Sequence, residues 1–261
     1  MYKCIKILLV TIFIIIVLYY IFFTILFESF ITKPSRKIGN KYNNWLGKRA
    51  AGVKEIKNNG LNMYVFENNE SDIVFLCFHG RKCNITHCMD WYVSLWGNGT
   101  VVGVDYKGYG ASDDAIGGTT IKTMADDALS VFEYVKATWP NKKIIAVGHS
   151  LGSLFALSVP ADAFVIEGGF RNFSSIGLIG PGQSLYDLPQ KMKEMKPGSK
   201  ILFIHGVNDI IVPQKECNKL KNVAIENGHD VTVSYFYDGH SVSETNPEGF
   251  HNVIYDFISK I

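Results

Sequence analysis

The chain contains 261 residues, 47% of them hydrophobic, and its 26 basic side chains are nearly balanced by 24 acidic ones. The formal net charge is only +2, and no basic patch of the kind that binds nucleic acid stands out, so we expect no nucleic-acid partner. Five scattered cysteines are too few for a disulfide framework, which excludes a disulfide-stapled fold.

The first element in the chain is an apolar stretch over residues 7–27 that contains no charged residue. A helix rises about 1.5 Å per residue, so this stretch covers a bilayer core of roughly 30 Å. It ends without the small residues of a signal-peptide cleavage site, which favours an uncleaved anchor. We predict a transmembrane anchor over residues 1–28, a basic juxtamembrane linker over 29–54 and one α/β domain over 55–261.

The sequence does not decide on which side of the membrane this domain lies. Cations flank the apolar stretch at both ends, and the difference is too slight for the positive-inside rule. Sequons permit glycosylation of a lumenal domain, but an asparagine-rich chain contains some by chance; they lie at Asn69, Asn84, Asn98 and Asn172. The expectation is a single-pass membrane protein whose orientation and oligomeric state stay open.

Beyond the linker, strand and helix patterns alternate. Short apolar, β-branched runs predict strands over residues 61–66, 72–78, 100–105, 143–147, 162–166, 200–205 and 231–237. Helices are expected between most of them, most clearly over 121–137, and a last helix begins at Pro247. This order predicts a mostly parallel sheet with helices on both faces, in which ligands bind beyond the carboxyl ends of the strands.

A G-x-S-x-G motif over residues 148–152 lies between the fourth of these strands and an apolar-faced helix. Glycines on both sides of Ser150 suit a sharp turn, because a Cβ at either place would collide with the neighbouring strand or helix. Such a turn lifts a serine hydroxyl out of the sheet. We therefore expect Ser150 to be a nucleophile.

A serine nucleophile needs a base within hydrogen-bond reach and a carboxylate that orients the base. His240 follows the last predicted strand in a Gly-His-Ser turn and is the expected base. Asp209 ends a buried strand that runs into a polar turn and is the expected acid, with Glu167 as the reserve candidate. Asp238 is nearer in sequence, but side chains two residues apart on an extended turn usually diverge.

Two further features concern the loop after the second predicted strand. A tetrahedral oxyanion requires backbone donors, for which the Leu151 N–H and the Arg81 N–H are the candidates. Metal binding by the cluster Cys83, His87 and Cys88 would need a fourth ligand, so an ordinary loop is expected, and a Cys83–Cys88 bridge stays open. We expect no metal and no cofactor.

Together these motifs resemble the α/β-hydrolase superfamily from about residue 60 to the C-terminus. His79-Gly80 resembles its oxyanion turn, the segment 105–112 its D-x-R-G-x-G-x-S motif with lysine in place of arginine, and 148–152 its nucleophile elbow. The segments 205–213 and 239–240 resemble its acid and base turns. Within the superfamily the chain is most similar to membrane-anchored α/β-hydrolase-domain proteins, which include acyl-thioesterases and lipases.

The resemblance implies an α/β-hydrolase fold with a small cap and a serine hydrolase that cleaves an ester or thioester of a lipid or acylated protein. Ser150, His240 and Asp209 would form its triad. Alternatives are an inactive scaffold that retains the fold, and a serine peptidase. Two local alternatives also remain: Arg81 and Lys82 either bind an anionic substrate group or are solvated, and the cap segment 185–195 either packs on the sheet or rests on a bilayer.

Overall fold

The structure is a computed structural model that describes residues 2–39, 53–179 and 185–261. Eight strands form one sheet: β1 Val53–Asn58, β2 Leu61–Phe66, β3 Ile73–Phe78, β4 Thr100–Asp105, β5 Lys143–His149, β6 Ala163–Glu167, β7 Lys200–Gly206 and β8 Asp230–Phe236. The α-helices are α1 Tyr2–Thr32, α2 Met89–Trp96, α3 Ile121–Thr138, α4 Gly152–Ala156, α5 Leu188–Glu194, α6 Gln214–Glu226, α7 Val242–Thr245 and α8 Pro247–Ile258. Short 3-10 turns lie at Ile85–His87 and Phe173–Ile176.

The strands are ordered β1-β2-β4-β3-β5-β6-β7-β8 across the sheet. The pairs β1–β2 and β2–β4 are antiparallel, and all other neighbours are parallel. The predicted mostly parallel α/β fold is thus confirmed. Strands β3 to β8 all run parallel to one another. The loops that follow them therefore lie along one side of the sheet, which we call the carboxyl edge.

Strand β1 was not among the strands predicted from the sequence. Its side chains are exposed or half-buried along the whole strand, and Lys54, Glu55 and Lys57 interrupt the apolar signal. β1 lies at the edge of the sheet and pairs only with β2, so it needs no continuous apolar run.

Hydrophobic cores lie on both faces of the sheet, as expected for a strand layer covered by helices. Strand β3 shows the division: Val74, Leu76 and Phe78 belong to one core, whereas Phe75 and Cys77 belong to the other. Helices α3, α4, α5 and α6 pack in the first core, and α2 and α8 pack in the second. The expected apolar faces of residues 121–137 and of the last helix are the faces that these helices bury.

Within the cap segment, helix α5 packs on the body of the domain. Leu188 and Met192 are fully buried in the first core, and Met195 packs against it. Asp187 begins the helix by accepting a hydrogen bond from the Gln190 N–H. Two alternatives were open for the cap segment: packing on the sheet or resting on a bilayer. The structure shows packing, through Leu188, Met192 and Met195.

Among the described residues, one helix, α1, is long and apolar enough to cross a membrane, over Ile5–Thr32. Its side chains are exposed up to about residue 26, but its last turn enters the first core, where Ile31 is 1% exposed. The helix thus continues to Thr32, beyond the expected limit at 28. Residues 33–39 of the expected linker run along the domain, and residues 40–52 lie outside the described parts of the chain.

The chain turns back on itself between β5 and α4 in the space that the two motif glycines leave. A Cβ on Gly148 would lie 2.6 Å from the carbonyl oxygen of Gly152, and a Cβ on Gly152 would lie 2.0 Å from the carbonyl oxygen of Phe78 at the end of β3. Both contacts are with backbone, which cannot rotate away. The elbow therefore packs directly against the end of β3.

Replacing Gly152 by alanine is expected to lower the free energy of unfolding by about 2–3 kcal/mol, because β3 and the elbow must move apart. Denaturant unfolding of the purified chain in detergent measures this. Gly239→Ala is the matched control, since nothing lies within 4 Å of its added Cβ, and its cost should stay within about 0.5 kcal/mol. Equal stability of the two variants would contradict the packing of the elbow on β3.

Candidate active site

Ser150 occupies the point of the elbow in a strained backbone conformation, with φ of +53°. A non-glycine residue rarely adopts this left-handed region, and it does so here because both neighbours fix the chain. The Ser150 N–H donates to the Glu167 carbonyl oxygen at 2.8 Å, and the Tyr186 hydroxyl donates to the Ser150 carbonyl oxygen at 3.2 Å. The elbow is thus held from β6 and from the cap segment.

His240 and Asp209 meet across the ends of β7 and β8. His240 Nδ1 lies 2.6 Å from Asp209 Oδ2, and the other oxygen, Oδ1, accepts the Ile211 and Val212 N–H groups at 2.8 Å each. Burial raises the pKa of Asp209, but the His240 contact and these N–H donors outweigh it and hold the pKa below its usual value. An ionised Asp209 accepts from Nδ1–H and leaves Nε2 of His240 as the basic nitrogen.

Ser150 and His240 each lie close to a glycine of a loop at the carboxyl edge. A Cβ on Gly80 would lie 3.3 Å from Ser150 Cβ, and a Cβ on Gly168 would lie 3.0 Å from His240 Cε1. Within the described residues, no hydrogen-bond partner is recorded for Ser150 Oγ, so the serine hydroxyl and His240 Nε2 are not hydrogen-bonded. The hydrogen bond between a catalytic serine and its base is often long or poorly aligned when no substrate is bound.

His149 supports His240, a role that the sequence analysis did not assign. Its Nε2 is 3.2 Å from the His240 carbonyl oxygen and 3.3 Å from Ser241 Oγ, and the two imidazole rings lie 4.9 Å apart at 56°. Burial, together with the neighbouring His240, lowers the pKa of His149 to about 4. A neutral His149 therefore contacts the turn that carries His240 through its Nε2 atom. Its position next to Ser150 was the only sequence signal.

The loop after β3 is fixed by buried polar groups. His79 Nδ1 lies 2.8 Å from the Gly80 carbonyl oxygen, and the Tyr106 hydroxyl donates to the His79 carbonyl oxygen at 3.1 Å. Burial lowers the pKa of His79 to about 4, so the ring is neutral and donates through Nδ1–H. Within the described residues, neither the Leu151 N–H nor the Arg81 N–H, the two candidate oxyanion donors, donates a hydrogen bond.

The Arg81 guanidinium is bound to the end of helix α1. Its Nε lies 2.9 Å from the Phe30 carbonyl oxygen and 3.1 Å from the Ile31 carbonyl oxygen, and the group stacks over the Phe30 ring at 4.4 Å from the centroid. A cation is favourable there because the last carbonyls of a helix are unpaired and partly negative. Arg81 is thus half-buried against the helix end, whereas Lys82 is exposed.

The side chain of Glu167, the reserve candidate for the acid, and the residue Asp238 have other hydrogen-bond partners. Glu167 is fully buried, and its two oxygens accept from the Ser243 N–H and hydroxyl at 2.8 Å each, so it fixes the start of α7. The Asp238 carbonyl oxygen accepts a hydrogen bond from the Asn208 N–H at 3.1 Å. This bond joins the acid turn to the base turn.

Cys83 and Cys88 are free thiols that line one side of a small cavity of about 40 Å³, together with Trp91, His149 and Ser241. His87 is turned to Asn84, with Nδ1 2.9 Å from Asn84 Oδ1. Across the described ranges, no three His, Cys, Asp or Glu side chains are grouped to hold a metal ion.

A larger cavity of about 620 Å³ lies at the opposite edge of the sheet, next to the residues that precede β6 and β7. Ser150 is not among the residues that line it.

This fold, with its strained serine between β5 and α4 and an aspartate–histidine pair beyond β7 and β8, is that of the α/β-hydrolases. The match to solved structures agrees. An esterase from Pyrococcus furiosus superposes with a TM-score of 0.70 at 18% identity, over 87% of this chain and 96% of the esterase. An alpha-beta hydrolase from Vibrio vulnificus gives 0.68 at 17% identity, over 85% and 87%. The chain therefore has the α/β-hydrolase fold.

Sequence comparisons match parts of the chain. Residues 69–164 match the Hydrolase_4 family, described as serine aminopeptidase, S33. The chain is 29% identical to the lysophosphatidylserine lipase ABHD12 of Rattus norvegicus, over 48% of this chain and 37% of that protein. It is 26% identical to ABHD12 of Danio rerio, over 60% and 50%. The chain thus spans half or less of the length of these two relatives.

The burial of Glu167 has a measurable consequence for stability. Burial raises the pKa of Glu167 to about 7, although the Ser243 donors favour the ionised form. As the pH rises from about 4.5 to about 7, the unfolded carboxyl ionises while the native one stays protonated. The native state then binds more protons, so this group lowers the free energy of unfolding by about 2–3 kcal/mol across the window.

The test compares wild type with Glu167→Gln by denaturant unfolding at several pH values. A glutamine resembles the protonated carboxyl, so the variant is expected to gain stability relative to wild type as the pH rises from 5 to 8. Glu133→Gln, on the exposed face of α3, is the matched control. A pH-independent difference between wild type and Glu167→Gln would refute the raised pKa.

Proposed function

We propose that this chain is a membrane-anchored serine hydrolase that cleaves a carboxylic ester or thioester of a lipid or acylated protein through Ser150, His240 and Asp209. The single observation that carries the proposal is the 2.6 Å contact between His240 Nδ1 and Asp209 Oδ2 at the edge where Ser150 sits with φ of +53°. That contact leaves His240 Nε2 as a base, and the elbow presents a hydroxyl to it.

In the acylation step, Ser150 Oγ attacks the carbonyl carbon of the substrate while His240 Nε2 takes the hydroxyl proton. The buried negative charge of Asp209 stabilises the imidazolium that forms, because the Nδ1–H donates to it. The carbonyl oxygen becomes an oxyanion, and the Leu151 and Arg81 N–H groups, which have no recorded acceptor in the described residues, donate to it. His240 then returns the proton to the leaving alcohol or thiol, and the acyl group stays on Ser150.

Deacylation repeats these roles with water. His240 Nε2 takes a proton from a water molecule, the hydroxide attacks the acyl carbon, and the proton returns to Ser150 Oγ as the acid departs. All donors and acceptors for both steps come from backbone and side chains at the carboxyl edge. His79 and Tyr106 hold the loop that carries the Arg81 N–H, so the oxyanion donors are in place before substrate arrives.

Two observations favour a lipid substrate. The ABHD12 relatives are named as lipases of lysophosphatidylserine, and helix α1 is long and apolar enough to anchor the chain in a bilayer. The description of the matching family names an aminopeptidase, but the match ends at residue 164, before Asp209, His240 and the cap segment. It therefore bears on the sheet and the elbow rather than on the substrate.

The variant Ser150→Ala tests this function. We expect it to lose both covalent labelling by a fluorophosphonate probe and hydrolysis of acyl esters, since the probe phosphonylates only an activated serine. Ser158→Ala, which follows α4 and whose hydroxyl donates to the Leu154 carbonyl oxygen, is the matched control and should keep both. Gel fluorescence and an ester hydrolysis assay measure the two signals.

Labelling that persists in Ser150→Ala would remove Ser150 from the mechanism. A wild-type chain that is folded but neither labelled nor active on esters of any acyl length would favour an inactive scaffold.

A further inference from the structure

The most exposed apolar side chains outside helix α1 are concentrated in one region. Ile116 is 100% exposed, Ile210 96%, Tyr237 93% and Ile179 81%. Among the other described residues outside helix α1, the most exposed large apolar ones are Ile38, at 64%, and Tyr255, at 58%. Single exposed apolar residues are common on soluble surfaces, but a group of nearly bare ones is a feature of interaction sites.

These four side chains lie in loops at the carboxyl edge of the sheet. Ile116 is in the loop after β4, Ile179 follows β6, Ile210 follows β7 and Tyr237 follows β8. With about 4.8 Å between neighbouring strands, the five steps from β4 to β8 spread these loops over roughly 24 Å. We name the four residues the apolar rim; it borders the loops that carry Ser150, Asp209 and His240.

The loop tip that carries Ile116 does not pack against the rest of the described domain. The next two residues, Gly117 and Gly118, have φ of +78° and +96°, and an added Cβ on either would meet no atom within 4 Å. This turn projects an isoleucine into solvent although no described part of the fold contacts it. Nothing in the stability of the isolated domain accounts for an isoleucine there.

The end of helix α1 reaches the domain at the same edge. The Phe27 ring packs edge-on against Phe173 in the loop after β6, with centroids 5.8 Å apart. Glu28 Oε1 accepts the Ile121 N–H at 3.2 Å at the start of α3, and the Tyr109 hydroxyl donates to the Thr32 carbonyl oxygen.

The segment after the helix continues along this edge. Arg36 donates to the Gly110 and Ser112 carbonyl oxygens at 3.1 and 2.9 Å, and Asn84 Nδ2 donates to the carbonyl oxygens of Ser35 and Lys37 at 3.0 and 2.8 Å. The contact begins at Phe27, the last residue of the uncharged apolar stretch, so no spacer separates that stretch from the domain. A bilayer that holds α1 therefore ends within about one helical turn of the carboxyl edge.

We propose that the apolar rim is a bilayer-docking surface, so that the active-site mouth opens toward the lipid that holds α1 and takes acyl chains directly from it. The proposal rests on the membrane-anchored hydrolase proposed above. Continuity with the helix end selects a lipid surface as the occupant, because α1 brings the rim to the interface. Isoleucine and tyrosine side chains are suited to the boundary between headgroups and acyl chains.

The direct test measures the depth of the rim in the membrane. An environment-sensitive fluorescent amino acid replaces Ile116 or Ile210 in the full chain, which is reconstituted in phosphatidylcholine vesicles. We expect blue-shifted emission at both positions and strong quenching by doxyl-labelled lipids. Leu129, 47% exposed on α3, is the matched control position and should show neither. Emission at 116 and 210 that matches position 129 would overturn the proposal.

A blue shift without quenching by doxyl lipid would also overturn it, because that result means that a second copy or another protein covers the rim. These signals need no catalysis, so they separate the docking proposal from the proposed hydrolase. A wild-type chain that hydrolyses no ester but shows deep probes would refute the function and keep the surface.

A kinetic arm links the rim to substrate entry. In the double variant Ile116→Asn/Ile210→Asn, hydrolysis of a long-chain monoacylglycerol in the vesicle should fall about tenfold, whereas hydrolysis of a water-soluble short-chain ester should stay unchanged. Leu129→Asn should change neither rate. An equal fall with both substrates would assign these residues to folding or catalysis and contradict membrane docking.

Discussion

The close approach of the elbow to the end of β3 is the constraint on which the site depends. Gly152 lies so near the Phe78 carbonyl oxygen that no side chain fits between them, and this packing forces Ser150 into its left-handed conformation. The same contact brings the loop after β3 beside the elbow, where a Cβ on Gly80 would lie 3.3 Å from Ser150 Cβ. The proposed nucleophile and the loop that carries the proposed Arg81 donor thus depend on one packing contact.

The remaining chemistry depends on the register of the outer strands. β7 and β8 are parallel neighbours, with Gly206 opposite Phe236, so the turns that follow them lie side by side. Asp209 and His240 meet there although 31 residues separate them. Because the same edge also receives the end of helix α1, the candidate catalytic groups, the proposed anchor and the apolar rim share one side of the molecule.

Local patterns were sufficient to predict much of this. Apolar periodicity predicted α3 and seven of the eight strands, and motif order suggested Ser150, Asp209 and His240 together. The edge strand β1 was missed because half-exposed strands carry little apolar signal. The roles of the Arg81 and His149 side chains depend on contacts with Phe30 and His240, which are distant in the chain, so no local pattern could have predicted them.

The most direct measurement of the central claim is an experimental structure of the chain after reaction with an alkyl phosphonate ester. We expect phosphorus bonded to Ser150 Oγ, the phosphonyl oxygen within hydrogen-bond distance of the Leu151 and Arg81 N–H groups, and His240 still paired with Asp209. An adduct on another side chain, or a phosphonyl oxygen turned away from both N–H groups, would contradict it.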